Sequence, residues 1–236
     1  MMREEGAALI IALWALAFLS VLMGGVVSTL RLENQQSAYE LSHCRASLAA
    51  EAGLALAVES LLSPAANPMI ADGRTYPVIF DGAKLNLAIR SERGKLDVNF
   101  ADATTIEHLL RYLGASPGAT ALIGQQLRQL RATGQMMKAI EQVQQLDGMD
   151  AELYAKLEPN ITLWTGLGKP DAFFATPDVR SALKLPSGEA ASSPGSIVTI
   201  SSHAQIKNGV SGDLQATVYL TPNGGGRQIY RVLRWR

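Results

Sequence analysis

The chain has 236 residues, and its 21 acidic and 21 basic side chains give a formal net charge of zero. This balance argues against a nucleic-acid-binding protein, which usually carries a basic excess or patch. Cys44 is the only cysteine, which excludes an intrachain disulfide. We expect it to be a buried small apolar residue of a helix. About 200 residues follow the N-terminal apolar run, enough for one globular domain with its own core.

The N-terminus combines a short charged segment with a long apolar run. Arg3, Glu4 and Glu5 precede Gly6, and residues 7–30 contain no charged side chain. About 20 apolar residues are needed to cross a bilayer, so this run is predicted to be a transmembrane segment. It is too long for an ordinary secretory signal, whose apolar part has roughly 7–15 residues. A plain membrane anchor would explain the length of the run but not the position of Gly6.

A helical pattern continues beyond the predicted membrane segment. Residues 31–62 contain no proline and only one glycine, Gly53. Pro64 predicts the end of the helix, which therefore runs from about residue 8 to 62. Apolar residues recur at spacings of three, four and seven, which predicts one buried stripe made of Leu41, Leu48, Ala52, Ala55, Leu56 and Leu62.

A β-hairpin is predicted next. Asp81-Gly82 lies between the alternating segments 76–80 and 84–90, and this turn sequence is a strong hairpin signal. Leu85, Leu87 and Ile89 are expected to share one face of the second strand. Arg93-Gly94 predicts another turn, followed by a strand over residues 96–100.

Helices are predicted to follow. Thr104 and Glu107 have the spacing of a capping box, and a second helix begins at Ser116-Pro117. A third covers about 136–146, and the last two begin at the caps Asp150 and Thr176. The expected apolar side of the second helix is Leu122, Ile123, Leu127 and Leu130.

The C-terminal part returns to strands. Segments 197–201, 214–220 and 228–235 have strand patterns, with turn signals at Asn208-Gly209 and at residues 223–226. The helices are therefore expected to lie between two groups of strands.

The N-terminal pattern resembles the class III signal of type IV pilins and type II secretion pseudopilins. This resemblance implies that prepilin peptidase cleaves after Gly6 and leaves Ala7 as the mature N-terminus. It also implies a single-pass protein of the inner membrane, with a cytoplasmic N-terminus and a periplasmic C-terminal domain.

The order of elements resembles the K-type minor pseudopilins of type II secretion, the GspK family. Segments 92–99 and 146–159 are similar to that family, as is a last strand closing on Trp235. The implied fold is α+β: a long N-terminal transmembrane helix that continues into a pseudopilin antiparallel sheet, split by an all-helical insertion. The expected segments are a leader (1–6), a transmembrane segment (7–30), the exported helix half (31–63), the first sheet part (64–100), the insertion (101–190) and the last sheet part (191–236).

Ile11 lies where most pilins and pseudopilins have a glutamate, the fifth residue after the cleaved glycine. K-type members lack this glutamate, and the resemblance implies a subunit at the tip of the pseudopilus. A tip subunit has no neighbour ahead whose amine a carboxylate would neutralise, and an unpaired charge in the bilayer is costly. The alternative is that Ile11 only makes the anchor more apolar.

The implied function is that of a minor pseudopilin that nucleates or caps the pseudopilus, and not that of an enzyme. The implied partners are the I-type and J-type minor pseudopilins, the major pseudopilin, prepilin peptidase and the inner membrane, with no nucleic acid. The alternative is a minor pilin of a type IV pilus or DNA-uptake system.

No catalytic or metal-binding pattern is apparent in the sequence. His43, His108 and His203 lie on separate predicted elements. Some K-type relatives bind calcium, but the corresponding stretch, residues 127–135, is short and basic here, whereas calcium prefers six to eight hard oxygen ligands. We therefore expect no cofactor. Residues 146–150 resemble a helix-hairpin-helix, yet Asp147 and Asp150 would repel phosphate, which favours a packing role.

Overall fold

The computed structural model describes residues 4–63, 68–186, 193–221 and 229–236. Its first element, α1, is one continuous helix over Glu4–Leu62, which confirms the predicted long helix. Among the described residues, no helix combines the length and the apolarity that a membrane crossing requires. Residues 1–3 of the predicted leader lie outside the described residues. The side chains of residues 4–12, 21, 24 and 26–29, which belong to the leader and the predicted transmembrane segment, also lie outside them.

The last third of α1 packs on the sheet, and only part of the predicted stripe takes part: Leu56 and Leu62 pack against the core. The prediction is wrong for Leu41 and Leu48, which are 54% and 57% exposed, and for Ala55, which is also exposed. Cys44 is exposed as well, so its predicted burial is wrong. The buried face is formed mostly by small residues: Ala46, Ala49, Ala50, Gly53, Leu54, Ala57 and Val58.

Small residues form this face because the helix lies very close to the strands. A Cβ atom on Gly53 would be 2.2 Å from Ser202 Oγ, and one on Gly212 would be 2.6 Å from the carbonyl carbon of Ala46. Larger side chains would separate the helix from the sheet. Leu54 and Val58 are the larger apolar residues that this face buries, whereas Leu41 and Leu48 are exposed.

The strands among the described residues are β1 (Asp72–Phe80), β2 (Ala83–Ser91), β3 (Leu96–Asp97), β4 (Ile161–Thr162), β5 (Ile197–Gln205), β6 (Ser211–Leu220) and β7 (Tyr230–Trp235). Five of them form an antiparallel sheet in the order β1-β2-β5-β6-β7. The predicted hairpin is confirmed: Asp81 and Gly82 join β1 to β2 and both have positive φ, at 45° and 74°. The predicted turn at residues 223–226 lies outside the described residues.

One face of the sheet covers α1 and forms the first hydrophobic core. Leu85, Leu87 and Ile89 of β2 are fully buried in it, as predicted, together with Val198 and Ile200 of β5. The other face is polar apart from a few positions, and a helical part of the chain packs against one end of it.

The helical part lies in sequence between β2 and β5 and has its own hydrophobic core. Its α-helices are α2 (Ala103–Tyr112), α3 (Pro117–Ala132), α4 (Ala151–Leu157) and α5 (Pro177–Leu183). Short 3-10 helices cover Glu92–Gly94, Ile140–Gln145 and Glu158–Asn160. The predicted caps Ser116, Asp150 and Thr176 are confirmed, since each side chain accepts a hydrogen bond from the third backbone N–H that follows.

Several local predictions for this part are wrong. Thr104 does not begin α2, because Asp102 occupies the N-cap position and Glu107 pairs with Arg128 instead. Leu122 is exposed. The helix predicted over 136–146 is only a 3-10 turn, and the strand predicted over 96–100 is only β3, which pairs in parallel with β4. The insertion is therefore not all-helical, although the α+β class with an antiparallel sheet is confirmed.

Candidate functional site

The residues predicted for processing and assembly lie in the first turns of α1. Gly6, Ala7 and Ile11 are helical in backbone, and their side chains lie outside the described residues. Their roles therefore stay predictions. The described residues do show how the helical part is attached to the sheet, and this junction contains the segment 92–99 that the sequence singled out.

A buried ion pair lies at the centre of the junction. Glu92 is fully buried, and its Oε1 lies 2.6 Å from Lys95 Nζ. The Thr199 hydroxyl donates to the same oxygen at 2.7 Å and lies 2.7 Å from the Thr217 hydroxyl. Glu92 Oε2 has no hydrogen-bond partner among the described residues. The pair thus joins the start of the helical part to β5 and β6 on the polar face of the sheet.

Asp97, the last residue of β3, holds the segment that follows β4. Its side chain is fully buried. Its Oδ2 accepts hydrogen bonds from the backbone N–H groups of Thr165 and Gly166, at 3.0 and 2.9 Å, and from the Thr165 hydroxyl at 3.1 Å. Its Oδ1 accepts from the N–H of Asn99 at 3.0 Å. Four donors therefore stabilise this carboxylate, which joins β3 to the segment that follows β4.

A second group of charges clamps the last strand to the helical part. Arg234 of β7 contacts Glu141 Oε1 through Nε at 3.0 Å and Nη2 at 2.7 Å, and it also pairs with Glu158. Arg236 pairs with Glu158 Oε2 at 2.9 Å. Burial alone would raise the pKa of Glu158, but hydrogen bonds and charges from Arg234 and Arg236 outweigh it and lower the pKa below its ordinary value. The pKa of Glu141 is also lowered, by its own backbone N–H and by Arg234 against the effect of burial.

We expect this clamp, which consists of Arg234, Arg236, Glu141 and Glu158, to weaken in acid. A carboxylate whose pKa is lower in the folded state stabilises the fold above its unfolded pKa, here the ordinary 4.5, and loses that effect as the pH falls through the folded pKa. Arg234→Met should lower the free energy of unfolding at pH 7 by about 2 kcal/mol and should flatten the decline of stability below about pH 4.5. Denaturant unfolding measured from pH 7 to pH 3 tests this.

Arg231 offers the matched control, because it is an exposed arginine on the same strand. Arg231→Met should leave both the stability and its pH dependence unchanged. An acid decline of the same steepness in Arg234→Met and in the unaltered chain would contradict the clamp.

A polar cleft of about 330 Å³ opens beside the clamp, between the sheet and the helical part. Basic and acidic side chains both line it, among them Arg90, Lys95, Glu158 and Asp178. Lys95 is paired with Glu92, and Glu158 is paired with Arg234 and Arg236. The arrangement joins two parts of the fold.

The remaining polar candidates are dispersed over the fold. His43, His108 and His203 are exposed and lie on α1, α2 and β5, and His203 is within 2.6 Å of Asp213. In the described ranges, no three His, Cys, Asp or Glu side chains lie close enough together to hold a metal ion. The basic stretch 127–135 includes the end of α3, where Arg131 donates to the Val98 carbonyl oxygen at 2.7 Å. Asp150 caps α4 and Gln126 contacts the backbone of Asp147, which is a packing arrangement.

No local sequence pattern indicates the clamp. Arg234 lies 93 residues from Glu141 and 76 from Glu158, and each is an ordinary charged residue when considered alone. The segment 92–99 is identified by resemblance, and the sequence itself predicts only a turn at Arg93-Gly94 and a strand after it. Only the packing of the insertion on the sheet shows that Glu92 and Asp97 are buried.

Comparison with solved structures shows that the fold is similar to a known one. No protein-family model and no curated protein matches the sequence. A chain in the crystal structure of the GspK-GspI-GspJ complex from the enterotoxigenic Escherichia coli type 2 secretion system matches with a TM-score of 0.57 and 13% identity. The match covers 86% of this chain and 98% of that chain. At this identity the likeness concerns the fold alone, and the chain has a pseudopilin-like fold.

Proposed function

We propose that this chain is a minor pseudopilin of a type II secretion system. One observation carries the proposal: a single long N-terminal helix packs its last third on an antiparallel sheet, in a fold similar to a chain of the GspK-GspI-GspJ complex. The charged leader and the uncharged run that follows Gly6 support it from the sequence. The work of such a protein is assembly, and no enzymatic activity is part of the proposal.

The N-terminus is proposed to be processed after Gly6 and held in the inner membrane by residues 7–30. The helix would then place the sheet and the helical part in the periplasm. Both steps rest on the leader pattern, in which a glycine separates charged residues from the apolar run.

Gly6→Val should block processing, because a branched side chain would obstruct the peptidase at its cleavage position. Expressed with a prepilin peptidase, the unaltered chain should yield a mature form that begins at Ala7, whereas the variant should stay full-length. Intact-mass spectrometry of the membrane fraction distinguishes the two forms. Ala8→Val is the control, and it should be processed normally. A wild-type form starting at any residue other than Ala7 would contradict the proposal.

The subunit is proposed to lie at the tip of the pseudopilus. Ile11 supplies no carboxylate at the position where other pilin-type subunits have glutamate. The helical part adds bulk next to the sheet, which supports a terminal position over one inside a filament. The proposed partners are the I-type and J-type minor pseudopilins and the major pseudopilin.

The test is to delete the gene and to measure both secretion and assembly. Loss of secreted enzymes from the medium, restored by the unaltered gene, is the expected result. The full-length chain should also co-purify with companion minor pseudopilins, and it should not form long fibres when it is overproduced alone. Normal secretion together with lost twitching or lost DNA uptake would overturn the proposal and favour a pilus subunit.

A further inference from the structure

The two outer strands of the sheet, β1 and β7, each have one side without a strand partner among the described residues. Such an edge presents backbone N–H and C=O groups that can pair with a strand of another chain. If the β1 edge of one subunit paired with the β7 edge of the next, every added subunit would again present a free edge. This head-to-tail contact would not close, and it would build an open fibre. Closing either edge is sufficient to prevent such growth.

The hairpin at the end of β1 determines the hydrogen-bonding pattern of this strand. The two turn residues, Asp81 and Gly82, both have positive φ, which is typical of a type I′ turn. Phe80 and Ala83 flank the turn and are paired with each other. In a two-residue hairpin this flanking pair is hydrogen-bonded, and hydrogen-bonded and non-hydrogen-bonded pairs alternate along an antiparallel ladder.

The outward backbone groups of β1 follow from this alternation. Counting back from Phe80, every second residue of the regular part of β1 bonds to β2. The residues between them direct their backbone groups away from the sheet, and they are Thr75, Pro77 and Ile79. Pro77 is therefore the middle one of three outward positions.

Pro77 interrupts the edge at this position. Proline has no backbone N–H, and its ring fills the space from which that group would donate to an added strand. The proline costs no hydrogen bond within the sheet, because its nitrogen faces outwards. An added strand would meet N–H donors only at Thr75 and Ile79, which lie on either side of the proline.

A bulge limits the other end of the same edge. The register with β2 shifts between Asp72 and Thr75, so β1 contains one extra residue there. Gly73 has a φ of 87°, the left-handed conformation that glycine adopts in a common type of bulge. The Asp72 carboxylate accepts hydrogen bonds from the backbone N–H of Arg74 at 3.0 Å and from its Nε at 2.7 Å. Because a bulge bends its strand, the regular edge of β1 is restricted to residues 75–80.

The β7 edge is less protected than the β1 edge. Its register with β6 also shifts, between Thr217 and Val218, but Tyr230–Trp235 contains no proline. The inner pairs β2–β5 and β5–β6 have regular registers. Two β7 edges that paired with each other would give a closed dimer and not a fibre. Open-ended growth of the sheet therefore requires the β1 edge.

We propose that Pro77 closes the β1 edge to strand addition and so prevents the subunit from polymerising through its sheet. The excluded partner is an extended strand, whether it comes from a second copy of this chain or from another protein. The proposal rests on the geometry of the hairpin and does not depend on a role in secretion.

The test restores the missing donor in the full-length chain, purified in detergent. Pro77→Thr supplies an outward N–H and a residue that favours strands, so self-association measured by sedimentation velocity should tighten at least tenfold. Asn86→Thr is the matched control. Asn86 is exposed and lies directly opposite Pro77 on the inner strand β2, so this change places the same side chain on the same face without adding a donor to the edge. It should leave the chain monomeric.

A second variant separates the donor from the new side chain. Adding Ile79→Pro to Pro77→Thr moves the proline to the next outward position, where the N–H is likewise not used within the sheet. This double variant should be monomeric again. Hydrogen exchange of individual amides, measured by NMR, gives a direct readout. In the unaltered chain the Ile79 amide should exchange at least tenfold faster than the Val78 amide, and it should become protected in associated Pro77→Thr.

Three results would overturn the closed edge: Pro77→Thr that stays monomeric, association that persists in the double variant, or an Ile79 amide of the unaltered chain that exchanges as slowly as that of Val78. The last measurement tests the outward geometry even where a variant folds poorly. Fibres of the unaltered chain with a protected Ile79 amide would also overturn it. Fibres in which this amide still exchanges rapidly would count against the tip role alone and would leave the closed edge standing.

Discussion

Lys95→Ala is expected to lower the free energy of unfolding by about 3–5 kcal/mol, the usual cost of removing one partner from a buried ion pair. Glu92 is fully buried, and Lys95 is its only ion-pair partner among the described residues. Without the ammonium group, the carboxylate would keep one hydrogen bond, from the Thr199 hydroxyl. Urea unfolding followed by circular dichroism would measure the change.

Lys156→Ala is the matched control for this prediction. Lys156 forms an ion pair of almost the same length with Glu152, at 2.7 Å, but both side chains are largely exposed. Its loss should cost less than about 0.5 kcal/mol. Adding Glu92→Gln to Lys95→Ala removes the unpaired charge and should recover part of the stability. A cost below 1 kcal/mol for Lys95→Ala would show that the buried pair does not hold the junction.

Gly94→Ala is expected to cause the largest loss from a single added methyl group, about 3 kcal/mol or more. A Cβ atom on Gly94 would lie 1.9 Å from the carbonyl oxygen of Phe174. Backbone cannot rotate away as a flexible side chain can, so the 3-10 turn at Glu92–Gly94 and the segment before α5 must separate. At roughly 2–4 °C per kcal/mol for a domain of this size, the midpoint of thermal unfolding should fall by about 6–12 °C.

Gly118→Ala gives the control for Gly94→Ala. Gly118 lies in the first turn of α3, and a Cβ atom there would meet nothing within 4 Å. This change should leave the unfolding midpoint unchanged or raise it slightly, because alanine favours a helix over glycine by up to about 1 kcal/mol. Equal midpoints for the two variants would mean that the close approach at Gly94 relaxes without cost.

The parts of the fold that were predictable are those set by local chemistry. Asp81-Gly82 determines a tight hairpin because both residues accept positive φ, and Ser116-Pro117 and Asp150 begin helices through hydrogen bonds within three residues. Interactions between distant residues were not predictable in this way. Thr199 contacts Glu92 across 107 residues, and no local pattern distinguishes that threonine from its neighbours.

The orientation of α1 was missed for a different reason. Both of its faces are apolar, so periodicity alone identifies two candidate stripes and does not say which one meets the sheet. The larger residues, Leu41 and Leu48, suggested the wrong one. Close approach of the strands selects the face with Ala46, Ala50 and Gly53, because only small side chains fit between a helix and a sheet at that distance.

The register between β2 and β5 brings the two ends of the helical part together. Ser91 is paired with Val198, so the helical part leaves the sheet and returns to it at adjacent positions, about 4.8 Å apart. A segment whose two ends meet in this way can be lengthened or shortened away from its contacts with the sheet without altering the strand order. The strand order of the sheet and its contact with α1 therefore do not depend on the length of the segment between β2 and β5.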